Sequence, residues 1–175
     1  YTLIGTTIVI PAGSTVGQVT LTSLDDLLDE INETVVIDIN TVTNGTEFSP
    51  ETVTVPIIDN EVEPSVILLV GSNIIGEDTG TTSTTVTAKL DKVSGKVVTV
   101  GLLFAGTANK SPVTPDTIDY TATSTITIPI GAIEATITLS AASDLLDEEN
   151  ETVIIAIDTV QNGVILNTQQ QTVTI

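Results

Sequence analysis

Two loops of the chain are crowded with carboxylates and repeat each other. They lie within DDLLDEINETVVIDI at residues 25–39 and SDLLDEENETVIIAI at residues 143–157. At about 5 Å and an effective dielectric constant near 20, each carboxylate pair costs roughly 3 kcal/mol. Several such pairs in one loop need either wide exposure to water or a bound cation. A solvated acidic turn is the ordinary explanation, but its occurrence twice with the same spacing favours a cation site.

The side chains available narrow the choice of cation. The chain contains no His and no Cys, whereas zinc and copper sites in proteins call for one or both. Calcium takes about six to eight oxygen ligands from carboxylates, backbone carbonyls and water. The acidic loops therefore predict Ca²⁺ as the bound cofactor.

The composition predicts an all-β protein. Hydrophobic residues make up 41% of the 175 positions, but aromatic residues only 2%, and there is no Trp or Met. The core must therefore be built from Val, Ile and Leu, with Thr on the faces in water. Short strand patterns separated by Gly, Pro and Asn turns, without useful helical periodicity, predict antiparallel β-sandwiches and no substantial helix.

Charge and residue types argue against several classes of function. The formal net charge is −19, and the only cations are four Lys residues, which disfavours nucleic acid and anionic membranes as partners. No apolar run is long enough to cross a bilayer, so we expect no membrane insertion of this segment. The absence of Cys excludes disulfides and is compatible with a secreted bacterial protein stabilised by metal.

The same inventory argues against an enzyme. Without His or Cys, a Ser-His-Asp triad and a Cys nucleophile are both excluded, which leaves paired carboxylates of the glycoside hydrolase kind. Such an enzyme would need aromatic platforms for sugar rings, and the chain has four aromatic residues: Tyr1, Phe48, Phe104 and Tyr120. We expect the two tyrosines to be packing residues and the protein not to be an enzyme.

The two acidic loops belong to a duplication with the period of a whole domain. Pairs of matching residues at positions 11 and 129, 26 and 144, and 33 and 151 all lie 118 residues apart, and the tyrosines lie 119 apart. A boundary is predicted near Glu63-Pro64, because proline restricts its neighbour and suits a stiff connector. Residues 1–63 are then a partial sandwich without its N-terminal strands, and residues 64–175 a sandwich without its closing acidic cluster.

Local patterns predict where the strands of the first part lie. Residues 1–10 and 16–22 have strand character on either side of the turn sequence IPAG. From Glu33 the chain alternates, so that Val35, Ile37 and Ile39 share one face. This third strand should have a buried side.

The motifs in this order resemble the Calx-beta domain, the module of sodium/calcium exchanger regulatory loops that also recurs in bacterial surface adhesins. In the second part the resemblance covers nearly the whole unit: Glu77 after the first strand, GTA at residues 106–108, Asp119-Tyr120, IPIG, the acidic run and the final TVTI. In the first part it covers the chain from Tyr1 onward, through IPAG, the acidic run and the DNE that follows PII.

The resemblance implies seven-stranded, immunoglobulin-like antiparallel sandwiches with calcium held among the loops at one end. Carried over position by position, it implies carboxylate ligands at Asp25, Asp26, Glu30, Glu33, Asp59, Glu61, Glu77, Asp119, Asp144, Glu148 and Glu151. Ser143 stands where the first part has Asp25, which implies fewer or weaker ions in the second part. Asn60 interrupts the closing acidic cluster, and Asp29 and Asp147 fall between the ligand positions and rank lower.

The function expected from these residues is that of a calcium-binding repeat segment in a large extracellular bacterial adhesin or surface filament. Calcium would rigidify each domain and its junctions, with calcium ions and neighbouring repeats of the same chain or filament as partners. A spacer role is favoured over receptor binding, since the sequence identifies no surface or host ligand. The alternative is a calcium-sensing regulatory domain of the transporter type, which flanking transmembrane helices would favour.

Overall fold

A computed structural model of the chain describes residues 1–49, 51–78, 80–110, 118–143 and 148–175. All secondary-structure elements assigned within these ranges are β-strands, which confirms the all-β class predicted from composition. Within the same ranges no helix is long and apolar enough to cross a membrane. The chain divides into two compact units, Tyr1–Asp59 and Asn60–Ile175.

The first unit consists of two separate antiparallel strand pairs. Its strands are β1 (Thr2–Leu3), which pairs with β2 (Leu21–Thr22), and β3 (Glu33–Asp38), which pairs with β4 (Thr52–Ile57). Strand β3 begins where the alternating pattern predicts. Among the described residues of this unit, Val35 is the one buried apolar side chain.

The second unit contains nine strands in its described part. They are β5 (Ser65–Val70), β6 (Ser83–Leu90), β7 (Val98–Gly106), β8 (Tyr120–Ala122), β9 (Thr125–Ile128), β10 (Glu134–Ala141), β11 (Thr152–Gln161), β12 (Val164–Ile165) and β13 (Gln170–Thr174). One sheet has the order β12-β5-β6-β10-β8 and the other β13-β11-β7-β9. All of these pairs are antiparallel except β12 with β5.

One apolar core joins the two sheets of the second unit. Strand β6 alternates so that Val86, Ala88 and Leu90 point inward, and Val153 and Ile155 of β11 contribute from the other sheet. Each fully buried Val, Leu or Ile side chain stabilises the fold by roughly 1.5–3 kcal/mol. The core is therefore built from the residue types that composition predicts, in the arrangement of a β-sandwich.

The strand registers of the two units repeat each other. Residues related by the spacing of 118 or 119 occupy the same pairing positions: Thr2 opposite Thr22 and Thr121 opposite Ser140, then Glu33 opposite Ile57 and Glu151 opposite Ile175. The turn of the IPAG and IPIG sequences also recurs, with Ser14 N donating to Pro11 O (2.9 Å) and Ala132 N to Pro129 O (3.0 Å). The duplication thus extends from sequence to backbone pairing.

Two expectations for the first unit are wrong. The strands predicted over residues 1–10 and 16–22 are formed only at β1 and β2, because a strand needs a hydrogen-bonding partner along its length. The corresponding strand β10 is eight residues long and lies between β6 and β8. The packing role expected of both tyrosines holds only for Tyr120, which is buried, whereas Tyr1 is exposed.

Candidate cation site

Several segments meet at one end of the second unit. Because antiparallel neighbours alternate in direction, the segments that follow β5, β7, β10 and β13 emerge at the same end. Backbone hydrogen bonds link them: Ile75 N donates to Thr174 O (2.9 Å), and Ala142 N donates to Asp119 O (2.9 Å). This end carries four of the predicted ligand residues, namely Glu77, Asp119, Glu148 and Glu151.

Asp119 is fixed by hydrogen bonds directly before β8. Its side chain is buried, and its carboxylate Oδ2 accepts a hydrogen bond from Asn109 N at 2.5 Å. Its own backbone N–H donates to Asn109 O at 3.0 Å. The end of the β7 segment and the start of β8 are thereby joined, and the carboxylate is held rigidly.

Gly106 allows the end of β7 to pack closely against the start of β11. Thr107 N and Ala108 N both donate to Thr152 O, at 3.0 and 3.1 Å, so the GTA sequence folds closely over the start of β11. Gly106 has a φ of 119°, and a Cβ atom at this position would overlap the Thr152 carbonyl oxygen. Glycine is needed here both for its backbone conformation and for space.

We expect Gly106→Ala to destabilise the second unit by about 2–3 kcal/mol or more, because it combines left-handed strain with a backbone clash. Gly131→Ala is the matched control. Gly131 also has a positive φ, of 79°, but open space surrounds its Cβ position, so we expect a loss of about 1 kcal/mol. Urea unfolding of both variants measures the difference, and equal losses would show that the close approach does not matter.

Glu151 lies at the centre of the acidic end. Its backbone pairs with Ile175 through two hydrogen bonds of 3.0 Å, which fixes it directly before β11. Its carboxyl oxygen Oε2 is buried and has no hydrogen-bond partner among the described residues. A hydrogen bond with the Asp119 side chain, burial, and the negative charges of Asp119, Glu148 and Glu77 raise the pKa of Glu151 to about 7.

An open cleft of about 330 Å³ lies beside these groups. It is lined by residues from three of the converging segments, among them Gly76, Glu77, Asp78, Glu148, Glu149 and Asn150. Ser143 Oγ donates a hydrogen bond to Asp78 Oδ1, which ties the β10 segment to the β5 segment. Asp78 and Glu149 were not among the predicted ligands, and their adjacency in sequence to Glu77 and Glu148 was the available signal.

The residues at this end fit calcium in chemistry, although the carboxylates are not gathered into a finished coordination group. Among the described residues no three acidic side chains form such a group. Asp144, a predicted ligand, and the lower-ranked Asp147 lie outside the described residues. The buried Oε2 of Glu151 is an oxygen that a hard cation would satisfy, and the oxygen-only surroundings suit calcium rather than zinc.

In the first unit the predicted ligands are arranged around the start of β3. Asn32 Oδ1 accepts a hydrogen bond from Asp59 N at 2.9 Å, which brings Asp59 to the end of the acidic loop. Asp26 Oδ1 accepts one from Leu28 N at 2.8 Å, forming a local turn. Four predicted ligands of the loop are exposed to solvent: Asp25, Asp26, Glu30 and Glu33.

The two remaining predicted ligands of the closing acidic cluster are less exposed than those of the loop. Asp59 is half-buried, and Glu61, also half-buried, falls within the second unit. Asp29 is 1% exposed, which makes it the most buried carboxylate among the described residues. Its burial could not be predicted from the sequence, because it falls between motif positions and an irregular loop has no periodicity to reveal an inward side chain.

The raised pKa of Glu151 makes the stability of the second unit depend on pH. A carboxyl whose pKa rises on folding from 4.5 to about 7 holds its proton more tightly in the folded state. This stabilisation is complete below about pH 4.5 and is lost as the pH rises through about 7. Because the residue is partly open to water, we expect a loss on the order of 1 kcal/mol between about pH 5 and pH 8.

Urea unfolding in a calcium chelator at the two pH values tests this expectation. The free energy of unfolding of Glu151→Gln should fall less between them than that of the unmodified protein. Asp158→Asn removes a charge from an exposed residue of the same strand and should leave the pH dependence unchanged. The same pH dependence in the protein and in Glu151→Gln would contradict the account of this carboxyl.

No protein-family model matches the chain, and no curated protein matches it. The resemblance to Calx-beta domains therefore rests only on the order and spacing of the sequence motifs.

Proposed function

We propose that the chain is a calcium-binding repeat segment of a large extracellular bacterial adhesin or surface filament, built from Calx-beta-type sandwiches. The observation that carries the proposal is the buried Oε2 of Glu151, which has no hydrogen-bond partner among the described residues and lies near the carboxylates of Asp119, Glu148 and Glu77. Without a bound cation, a buried carboxylate oxygen that lacks a hydrogen bond lowers the stability of the folded state. A bound cation would offset this cost by coordinating the oxygen.

In the second unit, Glu151 and Asp119 would hold the ion from the two fixed strand starts, with Glu77 and Glu148 contributing from the adjoining segments. Calcium supplies positive charge, which offsets the repulsion among these carboxylates and satisfies their oxygens. The rigid backbone anchors of Asp119 and Glu151 mean that little conformational entropy is lost on binding. In the first unit the exposed loop carboxylates and Asp59 would serve in the same way.

The strand count supports the seven-stranded, immunoglobulin-like arrangement. Strands β8 and β9 are almost continuous in sequence but pair with different sheets, β8 with β10 and β9 with β7. Taken as one run, and with the two-residue β12 set aside, they leave seven principal strands. A strand that passes from one sheet to the other is a known feature of sandwiches with bent edges.

Stiffening is the proposed mechanism of the segment. Extracellular calcium sites can be as weak as about 0.1–1 mM and remain occupied where calcium is millimolar. A cation that binds only the folded state stabilises it by about 2.7 kcal/mol at a hundredfold excess over Kd. Loops held by an ion at the end of each sandwich would limit bending between repeats, as a stalk requires.

Small-angle X-ray scattering of the whole chain tests the stiffening. The maximum dimension should be largest in calcium and should fall when a chelator is added. Glu151→Gln in calcium should scatter more like the chelated protein, whereas the control Asp158→Asn should scatter like the unmodified protein. A scattering profile that is unchanged by chelation would reject the stalk mechanism.

A further inference from the structure

We propose that Gln169 and Gln171 close the outer edge of strand β5, so that it does not pair with β5 of a second copy of the chain. The two glutamine side chains take the place of a neighbouring strand by hydrogen-bonding the backbone of Leu68. This arrangement lies within the second unit and involves none of the carboxylates of the proposed calcium site.

Strand β5 has the sequence of a segment that pairs readily with copies of itself. Residues Ser65–Val70 read SVILLV, with no charged residue and no proline. Short segments of high β-propensity without charge or proline are those that stack with identical segments of other chains. Charged residues and proline are common means by which an edge strand avoids such pairing, so β5 needs another form of protection.

Backbone pairing protects only part of β5. On one side, β6 pairs with it along Val66–Val70. On the other side, β12 pairs with it at Ser65 and Val66 alone, and Thr174 N donates to Asn73 O (2.9 Å) just beyond its end. Between these points no other strand pairs with this side of β5 in the described part of the chain.

Two glutamine side chains occupy this stretch of the edge. Gln171 Nε2 donates a hydrogen bond to Leu68 O at 2.9 Å, and Leu68 N donates one to Gln169 Oε1 at 3.4 Å. A paired strand would offer a donor and an acceptor to the same two backbone groups. Both groups are therefore already bonded when an incoming strand approaches.

The positions of the glutamines in the fold support this role. Side chains alternate along a strand, so Gln169, which directly precedes β13, shares one face with Gln171 and Val173. Val173 is fully buried in the core, and apolar side chains normally fill such inward positions. Glutamine at two of them is explained by the backbone groups of Leu68. Gln170 faces the opposite way and is exposed to solvent.

A second copy of β5 is the partner that an open edge would accept. Ile67 and Leu69, on the outer face of the strand, are 39% and 42% exposed. Pairing of two β5 strands would bring these side chains together and cover part of their apolar surface. The formal net charge of −19 makes the chains repel one another, but β5 itself adds no charge to that repulsion.

Sedimentation velocity of the whole chain tests the proposal in the double variant Gln169→Val, Gln171→Val. This variant keeps strand-forming side chains at both positions but removes their hydrogen-bonding groups. It should self-associate at concentrations at least about tenfold below those at which the unmodified protein does. Hydrogen exchange followed by mass spectrometry should locate the contact. Exchange over residues 65–70 should slow as the concentration of the variant rises, and should not depend on concentration in the unmodified protein.

Gln170→Val is the matched control, because it makes the same change on the same strand at an outward-facing position. It should behave like the unmodified protein. The single variant Gln171→Val removes only the 2.9 Å hydrogen bond and should associate to an intermediate extent, so it decides the matter if the double variant does not fold. The proposal is overturned if neither folded variant associates more than the unmodified protein, if Gln170→Val associates equally, or if association leaves exchange over residues 65–70 unchanged.

Discussion

Calcium should raise the melting temperature of the second unit by roughly 10–15 °C at a hundredfold excess over Kd, because about 2.7 kcal/mol of stabilisation acts on a domain of this size. Glu151→Gln should remove most of this gain. The substitution keeps the shape of the side chain but takes away the charge at the buried Oε2. Near-ultraviolet circular dichroism of the buried Tyr120 follows the transition of this unit.

Other substitutions define what the first result means. Glu148→Gln should also reduce the gain, but less, because Glu148 is exposed and Glu151 is not. Asp158→Asn should leave the calcium effect intact, since Asp158 lies on β11 well beyond the acidic end. If Asp158→Asn lowered the gain as much as Glu151→Gln, calcium would be acting through general screening of the charge of −19.

Ile155→Ala should destabilise the second unit by about 3–4 kcal/mol, because it leaves a cavity in a packed core. Ile155 is fully buried among residues of both sheets. Ile37 is its counterpart, 118 positions earlier on β3, and is partly exposed. Ile37→Ala should cost less than about 1 kcal/mol, because water already reaches that side chain.

Urea unfolding of both alanine variants gives the comparison directly. The two substitutions remove the same atoms from equivalent strand positions, so any difference reports what covers each strand. Equal losses would mean that the first unit is as well packed as the second. A large loss only in Ile155→Ala supports the description of the two units.

Features that depend on local pattern could be predicted from the sequence. The all-β class follows from the Val, Ile and Thr content, and the start of β3 at Glu33 follows from the alternation after it. The repeated register follows from the spacing of 118, since a one-residue slip would turn every inward side chain to solvent. The convergence of the acidic segments follows from the alternating directions of the strands.

Features that depend on distant partners could not be predicted. Residues 16–20 have strand character but remain outside β2, because among the described residues β2 pairs only with the two-residue strand β1. The burial of Asp29 and of the Glu151 carboxyl oxygen Oε2 arises from three-dimensional packing, which residue spacing along the chain does not reveal. In the sequence, Gly106 stands out only as part of the GTA motif. Its positive φ and its close approach to the Thr152 carbonyl oxygen depend on the folded chain.

Calorimetric titration of the whole chain with calcium is the decisive test of the proposed calcium site. We expect saturable binding with a Kd of about 1 mM or tighter. The heat from the second unit should be lost in Glu151→Gln and kept in Asp158→Asn. The contradictory result is the absence of saturable heat up to about 10 mM calcium, ten times the weakest affinity expected of such sites. The acidic segments would then be solvated turns, and the rigidity of the sandwiches would come from their packing alone.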